Sequence, residues 1–209
     1  MPAPARYSRC YPWRMNTLVA DGLAIARGGR VILRDLHFSL NSGQGLHVCG
    51  PNGSGKTSLL EVLACLRDPD EGGISGAPEA GELHYIGVRN ALSPALSPQQ
   101  NLEFWCGLND VAQDGIPGAL ERFGVARIRH RPCRTLSNGQ RRRVALARLW
   151  LAPRKWWFLD EPLNALDHDG AEIFVALLSA HLHGGGCAII ASHQVLPAHI
   201  DSLQRLDLA

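Results

Sequence analysis

The chain has 209 residues, of which 45% are hydrophobic, and these values suit one compact domain with a sizeable core. Lysine and arginine (21) nearly balance aspartate and glutamate (19), so the formal charge of +2 gives no argument for a nucleic-acid partner. No stretch approaches the roughly 20 apolar residues that a membrane-spanning helix needs.

The first predicted element is a β-hairpin, with strands over about residues 17–26 and 31–40 and a Gly-Gly pair at 28–29 between them. Residues 1–14 contain three arginines but no apolar core, which excludes a signal peptide. We therefore predict a disordered N-terminal extension over residues 1–14. One domain is predicted to follow it, over residues 15–209.

A glycine-rich loop follows the hairpin, between a short apolar strand at residues 45–49 and an apolar-periodic helix at about 56–66. The form GxxxxGK[ST] lets consecutive backbone N–H groups turn inward around an anion, and the helix N-terminus favours negative charge. Lys56 is predicted to reach the β- and γ-phosphates of a nucleotide, and the Thr57 hydroxyl to bind Mg²⁺. The nucleotide-binding loop comprises Gly50, Pro51, Asn52, Gly53, Ser54, Gly55, Lys56, Thr57 and Ser58.

The next segment breaks the alternation of strands and helices. Residues 67–81 are rich in turn residues and predict a connection, and a short strand is predicted at 83–88. Residues 89–135 are predicted to form a helical subdomain, with helices near 98–108 and 116–123. Apolar residues crowd two faces of its first helix, namely Leu102, Phe104, Trp105 and Leu108. Two interpretations stay open for them, core packing or a partner-facing groove.

A third helix is predicted at residues 139–151, directly after the sequence LSNGQ at 136–140. It begins with the basic run Arg141–Arg143. Two interpretations of this run stay open, a solvated helix face and a contact with phosphates.

Two acidic residues end the apolar run at 156–159, which predicts a buried parallel strand. Carboxylates at the C-terminal end of such a strand lie where open α/β sheets bind ligands. Asp160 is then predicted to support Mg²⁺ from beyond its direct ligands, and Glu161 to act as the general base that polarises water. The alternative is an acid pair at a helix N-terminus, since Pro162 follows.

The chain ends in a predicted helix at 169–182 and an apolar strand at 187–191, followed by the sequence Ser-His-Gln at 192–194. Six cysteines show neither a CxxC motif nor a metal-ligand spacing, and they indicate a reducing cytosol. Three of them lie in apolar segments and are predicted to be small core residues: Cys49, Cys65 and Cys187.

In chain order, GPNGSGKTS, LSNGQ, WWFLDEP, NALD and the late SHQ resemble an ATP-binding cassette (ABC) ATPase over nearly the whole length. The resemblance implies an α/β P-loop NTPase fold with a mostly parallel core sheet, an N-terminal antiparallel β subdomain and an inserted helical subdomain. It also implies that ATP and Mg²⁺ are the cofactors and that two ATPase protomers close on ATP.

The resemblance assigns further roles. His193 would hold the γ-phosphate and the attacking water, and Asp167 would cross the dimer interface. The ATP bound by the opposite protomer would be contacted by Ser137, Asn138, Gly139 and Gln140.

Three positions depart from the family pattern. Asn138 stands where a second glycine is usual, and because asparagine tolerates positive φ, we expect the loop to persist. No glutamine occurs at residues 89–92, where the family links Mg²⁺ to its membrane partner, and Gln99 and Gln100 come too late. Arg27 falls near the usual adenine-stacking aromatic, where its guanidinium would either stack or make a weak contact.

Three segments resemble the ATPase subunit of the bacterial cytochrome c maturation (haem exporter) system: residues 139–151, 85–87 and 192–194. That resemblance implies a peripheral protein on the cytoplasmic face of the inner membrane, with separate integral membrane subunits and no nucleic acid as partner. Its ATP turnover would support haem handling for c-type cytochromes. The alternatives are an ABC exporter with another substrate, a soluble ABC factor, a P-loop kinase and a nucleotide-gated module.

Overall fold

The structure is a computed structural model that describes residues 17–79, 81–196, 200 and 202–208. The predicted disordered extension, residues 1–14, lies outside the described residues. No helix within the described residues is both long and apolar enough to cross a membrane.

A small antiparallel sheet contains the predicted hairpin, formed by β1 (Leu18–Arg27) and β2 (Arg30–Leu40). The turn between them contains Gly28 and Gly29, whose φ angles of 60° and 76° are left-handed and favour glycine. The third strand, β4 (Glu71–Ser75), pairs with β1 and gives the order β2-β1-β4.

Strand β4 lies where the sequence predicted a connection, so that prediction was wrong. Its Gly72 packs so closely on β1 that a Cβ atom would come within 2.3 Å of the Gly22 carbonyl oxygen. Gly72, which looks like a turn residue in the sequence, therefore permits a close strand pairing.

The main sheet, as far as the structure describes the chain, has five strands, all parallel, in the order β5-β6-β7-β3-β8. The three central strands are buried along their whole length, as continuous apolar runs predict. The strands are β3 (Gly45–Cys49), β5 (Leu83–Ile86), β6 (Trp156–Asp160), β7 (Cys187–Ala191) and β8 (Leu203–Asp207). Strand β8 was not predicted, because its sequence LQRLD is polar at the sheet edge.

Within the described residues, five α-helices pack around the strands, and the first ends three residues earlier than predicted. They are α1 (Lys56–Leu63), α2 (Pro98–Leu108), α3 (Ile116–Arg122), α4 (Asn138–Leu151) and α5 (His168–His183). Cys65, beyond the end of α1, has a φ of 55° and is exposed, so its assignment to the core was wrong; Cys49 and Cys187 are buried.

The hydrophobic core lies in two clusters on opposite faces of the main sheet. Along β6 the side chains alternate between them: Trp156 and Phe158 join the cluster around α1, and Trp157 and Leu159 join the one around α4 and α5. The observed α/β architecture, with its parallel core sheet, separate antiparallel sheet and helices between residues 98 and 122, confirms the predicted fold class.

Helix α2 presents apolar residues both to the core and to solvent. Leu102 is fully buried, whereas Phe104 and Leu108 are 63% and 70% exposed. Core packing therefore accounts for Leu102 but not for those two. Gln100, which comes too late in the sequence for the family's glutamine, instead caps this helix. Its side chain and that of Ser97 form a capping box, in which each accepts the backbone N–H of the other.

Candidate functional site

The glycine-rich loop connects the buried strand β3 to helix α1 at the C-terminal edge of the main sheet. Gly55 is the N-cap of α1 with a φ of 98°, and no side chain caps this end of the helix. The first N–H groups of α1 can therefore bind an anion. A cleft beside the loop is lined partly by Arg27, Asn52 and Lys56.

Gly50 packs closely on the loop's own Ser54 and on Leu208. A Cβ atom at Gly50 would come within 2.6 Å of Ser54 Oγ and 2.7 Å of the Leu208 carbonyl oxygen. Ser54 Oγ is buried and has no hydrogen-bond partner among the described residues. Buried Lys56 donates from Nζ to the carbonyls of Gly50 and Pro51, at 2.7 and 2.9 Å, so its charge lies at the loop.

Thr57 and Asp160 come together across the site although 103 residues separate them. The Thr57 hydroxyl donates to Asp160 Oδ2 at 2.7 Å. Burial raises the pKa of Asp160, and the Thr57 hydrogen bond acts in the opposite direction. A hydroxyl and a carboxylate oxygen are the kinds of ligand that Mg²⁺ prefers, so these residues fit the ion.

Glu161, directly after β6, has a backbone φ of 49°, which is unusual for a residue other than glycine. Its Oε1 is 2.9 Å from His193 Nδ1 and accepts the His193 backbone N–H at 3.2 Å. Its Oε2 accepts the Ser192 hydroxyl at 3.1 Å. The carboxylate is thus fixed by three bonds while the His193 ring remains about half exposed.

The order of the strands brings these residues to one edge of the sheet. The Glu161 N–H donates to the Ala191 carbonyl, and the Ser192 N–H donates to the Val48 carbonyl. The ends of β6, β7 and β3 therefore place Glu161, His193 and the loop side by side. Ser192 was singled out in the sequence only as part of the SHQ run; its position directly after a buried strand was the available signal.

The sequence LSNGQ forms the N-terminus of α4, and its Asn138 lines a cleft that neighbours the loop cleft. Ser137 and Gln140 form a capping box, each side chain bonding the other's backbone N–H. Asn138 has a helical backbone rather than a positive φ, so the reason given for its tolerance was wrong. A Cβ atom at Gly139 would come within 2.4 Å of the Ala165 carbonyl oxygen, which requires glycine.

Asp167 is the N-cap of α5, where its side chain accepts the Gly170 N–H at 3.1 Å. It also forms an ion pair with Arg143, and this hydrogen bond holds the pKa of Asp167 below its ordinary value. Within one protomer, Asp167 therefore connects α5 to α4.

The basic run at the start of α4 makes contacts within the chain, so the solvated-face interpretation was wrong. Arg141 donates to the Cys133 carbonyl and to Asn138, and Arg143 to the Phe123 carbonyl and to Asp167. Arg142 is buried beside the carboxyl end of β6, and the sequence analysis missed it. In the sequence Arg142 stands between two other arginines, and such a charged run does not indicate a buried residue.

A family model described as "ABC transporter" matches residues 33–164, which include the loop, the LSNGQ sequence and the acidic pair. The chain belongs to the ABC transporter family, and it is one of that family's ATP-binding, ATP-hydrolysing subunits. It is 46% identical to the "Cytochrome c biogenesis ATP-binding export protein CcmA" of Cupriavidus necator, an alignment that covers 94% of this chain and 92% of that one.

Further relatives agree with this assignment. The CcmA protein of Paramagnetospirillum magneticum is 42% identical, with 85% of this chain and 88% of that one covered. Among solved structures, a putative ABC transporter ATP-binding protein from Pyrococcus furiosus superimposes with a TM-score of 0.77 at 25% identity. It covers 91% of this chain and 97% of that one.

Proposed function

We propose that this chain is the ATPase subunit of an ABC transporter complex that energises haem handling or export for c-type cytochrome biogenesis. The relatives named as cytochrome c biogenesis export proteins support the biological role. The observation that carries the chemistry is the fixed carboxylate of Glu161 beside His193, at the same sheet edge as the Thr57–Asp160 pair.

In this proposal the loop residues bind ATP through their backbone N–H groups, and Lys56 contacts the β- and γ-phosphates. Thr57 would hold Mg²⁺ directly and Asp160 would support it from beyond its direct ligands, and the ion would supply positive charge to stabilise the phosphates. Glu161 accepts the proton of the attacking water. His193 uses Nδ1 for Glu161, which leaves Nε2 to accept a hydrogen bond from the attacking water and orient it.

Two protomers complete the site in the proposed mechanism. The LSNGQ residues do not line the loop cleft, and Asn138 lines the neighbouring cleft beside Glu161, so we assign the N-terminus of α4 to the ATP of a second copy. Ser137, Asn138 and Gly139 lie at a helix N-terminus, where the dipole and the first N–H groups favour a γ-phosphate.

The membrane partners are proposed to be separate integral subunits of a cytochrome c maturation complex, with this chain peripheral on the cytoplasmic face of the inner membrane. The exposed side chains of Phe104 and Leu108 on α2 support a contact of this kind, since large apolar side chains so exposed favour a partner.

A strain that lacks this gene provides the test. We expect it to lose mature c-type cytochromes while b-type haem proteins persist, and we expect the wild-type gene, but not a Glu161→Gln variant, to restore them. Haem-stained gels and difference spectra measure both classes. Normal c-type cytochromes in the deletion strain would contradict the haem role and favour an exporter of another substrate.

A further inference from the structure

Arg142 is a buried cation on α4 that the proposed chemistry does not use. It is 3% exposed, and its guanidinium makes four hydrogen bonds to two separate segments. At the end of β6 it donates from Nη2 to the Asp160 carbonyl at 2.6 Å and from Nε to the Pro162 carbonyl at 3.2 Å. Beyond β5 it donates from Nη1 to the Gly87 carbonyl at 2.8 Å and to Asn90 Oδ1 at 3.0 Å.

Two of these acceptors bracket Glu161. The carbonyls of Asp160 and Pro162 belong to the residues directly before and after it, and Glu161 itself has the left-handed φ of 49°. A non-glycine residue keeps such a conformation only where its surroundings hold it there. Arg142 supplies that restraint on both sides, and the restraint fixes where the Glu161 side chain begins.

The other two acceptors lie in the loop after β5, in which the family's glutamine is missing. Residues Val88 and Asn90 of this loop share a cleft with Glu161 and Arg142. One planar guanidinium therefore holds both the loop and the backbone on either side of Glu161, and a shift of Gly87 or Asn90 would alter its bonds to Asp160 and Pro162.

Stability alone is a poor account of this arrangement. Burial lowers the pKa of Arg142 to about 10, while nearby Asp160 and Glu161 raise it, so the side chain stays charged at neutral pH. Its direct partners are neutral carbonyl and amide oxygens rather than carboxylates. Burying a charge in this way is unfavourable compared with an apolar residue of similar size.

We propose that Arg142 is a positioning residue, which holds the backbone of Glu161 in its strained conformation and couples it to the loop at residues 87–90. The proposal rests on the proposed role of Glu161 as general base. A movement of that loop would thereby change the rate of hydrolysis without changing the residues that bind ATP.

The test compares Arg142→Lys with Arg148→Lys in the full-length chain. Arg148 is a matched control, since it lies on the same helix, is 7% exposed, and has a pKa that burial lowers to about 10. It donates to the carbonyl of Ala91, directly after the loop, but no hydrogen bond connects it to residues 160–162 in the described part of the chain. Lysine keeps the charge and loses the fork in both variants.

For Arg142→Lys we expect kcat for ATP hydrolysis to fall about tenfold or more, because the base is displaced, while the Kd for ATP stays within about twofold. For Arg148→Lys we expect both values within about twofold of wild type, even where its Tm falls equally. An equal loss of kcat in the two variants, or a loss confined to ATP affinity, would overturn the proposal.

Two further measurements keep the test decisive. Asn90→Ala removes one of the four acceptors and should fold even if Arg142→Lys does not. It should lower kcat at unchanged ATP affinity, and a wild-type kcat would contradict the coupling.

Amide hydrogen exchange should become faster at residues 160–163 and 87–90 together in Asn90→Ala or Arg142→Lys. Faster exchange confined to residues 87–90 would also contradict the coupling. A wild-type chain without any ATP turnover would instead refute the proposed function, and the exchange measurement would still decide the coupling.

Discussion

His193 Nδ1 lies 2.9 Å from Glu161 Oε1, and the backbone N–H of His193 donates to the same oxygen. The two residues lie 32 positions apart in sequence and meet because β6 and β7 are adjacent parallel strands. With the Ser192 hydroxyl on its other oxygen, the carboxylate has little rotational freedom. An acid held in this way is suited to accept a proton from one fixed direction.

Glu161→Gln should lower kcat for ATP hydrolysis by a factor on the order of 10²–10⁴, because the amide cannot accept the proton of water. ATP should still bind and should trap a dimer, which phosphate release and size-exclusion chromatography with ATP will measure. Glu172→Gln, on the exposed surface of α5, is the control. Hydrolysis at the wild-type rate would remove Glu161 from the role of base.

Gly139→Ala should destabilise the contact between α4 and the segment at 161–167, because the new Cβ atom would meet the Ala165 carbonyl oxygen at 2.4 Å. We expect a loss of about 1–3 kcal/mol in the free energy of unfolding, together with reduced ATPase activity. Urea denaturation measures the first quantity.

Gly118→Ala is the control for that change. It lies in α3 with no atom within 4 Å of an added Cβ, so alanine should stabilise the chain by about 0.5–1 kcal/mol. Equal effects of the two substitutions would show that the Ala165 contact is unimportant.

Asp167→Ala should lower the free energy of unfolding by about 1 kcal/mol, since the N-cap bond to the Gly170 N–H is lost. Asp167→Asn keeps a capping oxygen and removes only the charge opposite Arg143. It should therefore stay within about 0.5 kcal/mol of wild type, as the exposed carboxylate makes the ion pair weak. Equal losses in the two variants, measured by thermal and urea denaturation, would assign the effect to the ion pair.

Acid should destabilise the fold through two buried histidines. Burial lowers the pKa of His84 to about 3 and that of His181 to about 4, while a hydrogen bond to a backbone carbonyl opposes the shift in each. The unfolded chain binds protons near pH 6.5, so it holds more protons than the folded chain below that pH. The free energy of unfolding that depends on keeping both histidines neutral is therefore fully present above about pH 6.5 and is lost as the pH falls.

Each histidine should contribute a slope of about 1.4 kcal/mol per pH unit between pH 6 and 4.5. His84→Gln keeps a donor for the Ala152 carbonyl and cannot titrate, so it should reduce the slope measured by urea denaturation at several pH values. His168→Gln, at a site that is 84% exposed, should leave the slope unchanged. An unaltered slope in His84→Gln would contradict the assignment.

The parts of the fold that the sequence predicted are those whose cause is local. A run of glycines that ends in a lysine predicts the loop, and four consecutive apolar residues such as Trp156–Leu159 predict a buried strand. Strand β4 was missed because its glycines resemble a turn, and its pairing with β1 is what makes it a strand. Strand β8 likewise depends on β3 beside it.

The candidate site divides in the same way. The residue types at Lys56, Glu161 and His193 allowed their roles to be predicted from the sequence. Their proximity could also be predicted, because the carboxyl ends of parallel strands lie at one edge of the sheet. The burial of Arg142 could not be predicted, because only the tertiary structure supplies its four acceptors. The exposure of Phe104 could not be predicted either, because apolar periodicity does not say which of two faces is covered.

The strand that begins the nucleotide site, β3, lies between β7 and β8 in the finished sheet. Its backbone therefore has no parallel neighbour until residues 187–191 and 203–207 have been synthesised, which lie about 140 and 160 residues after β3 in the chain. Such pairing across a long stretch of chain slows folding. During synthesis the strand before the phosphate loop therefore stays without its β8 neighbour until residues 203–207 have been made. Loss of β8 would leave β3 as the exposed edge of the sheet next to Gly50.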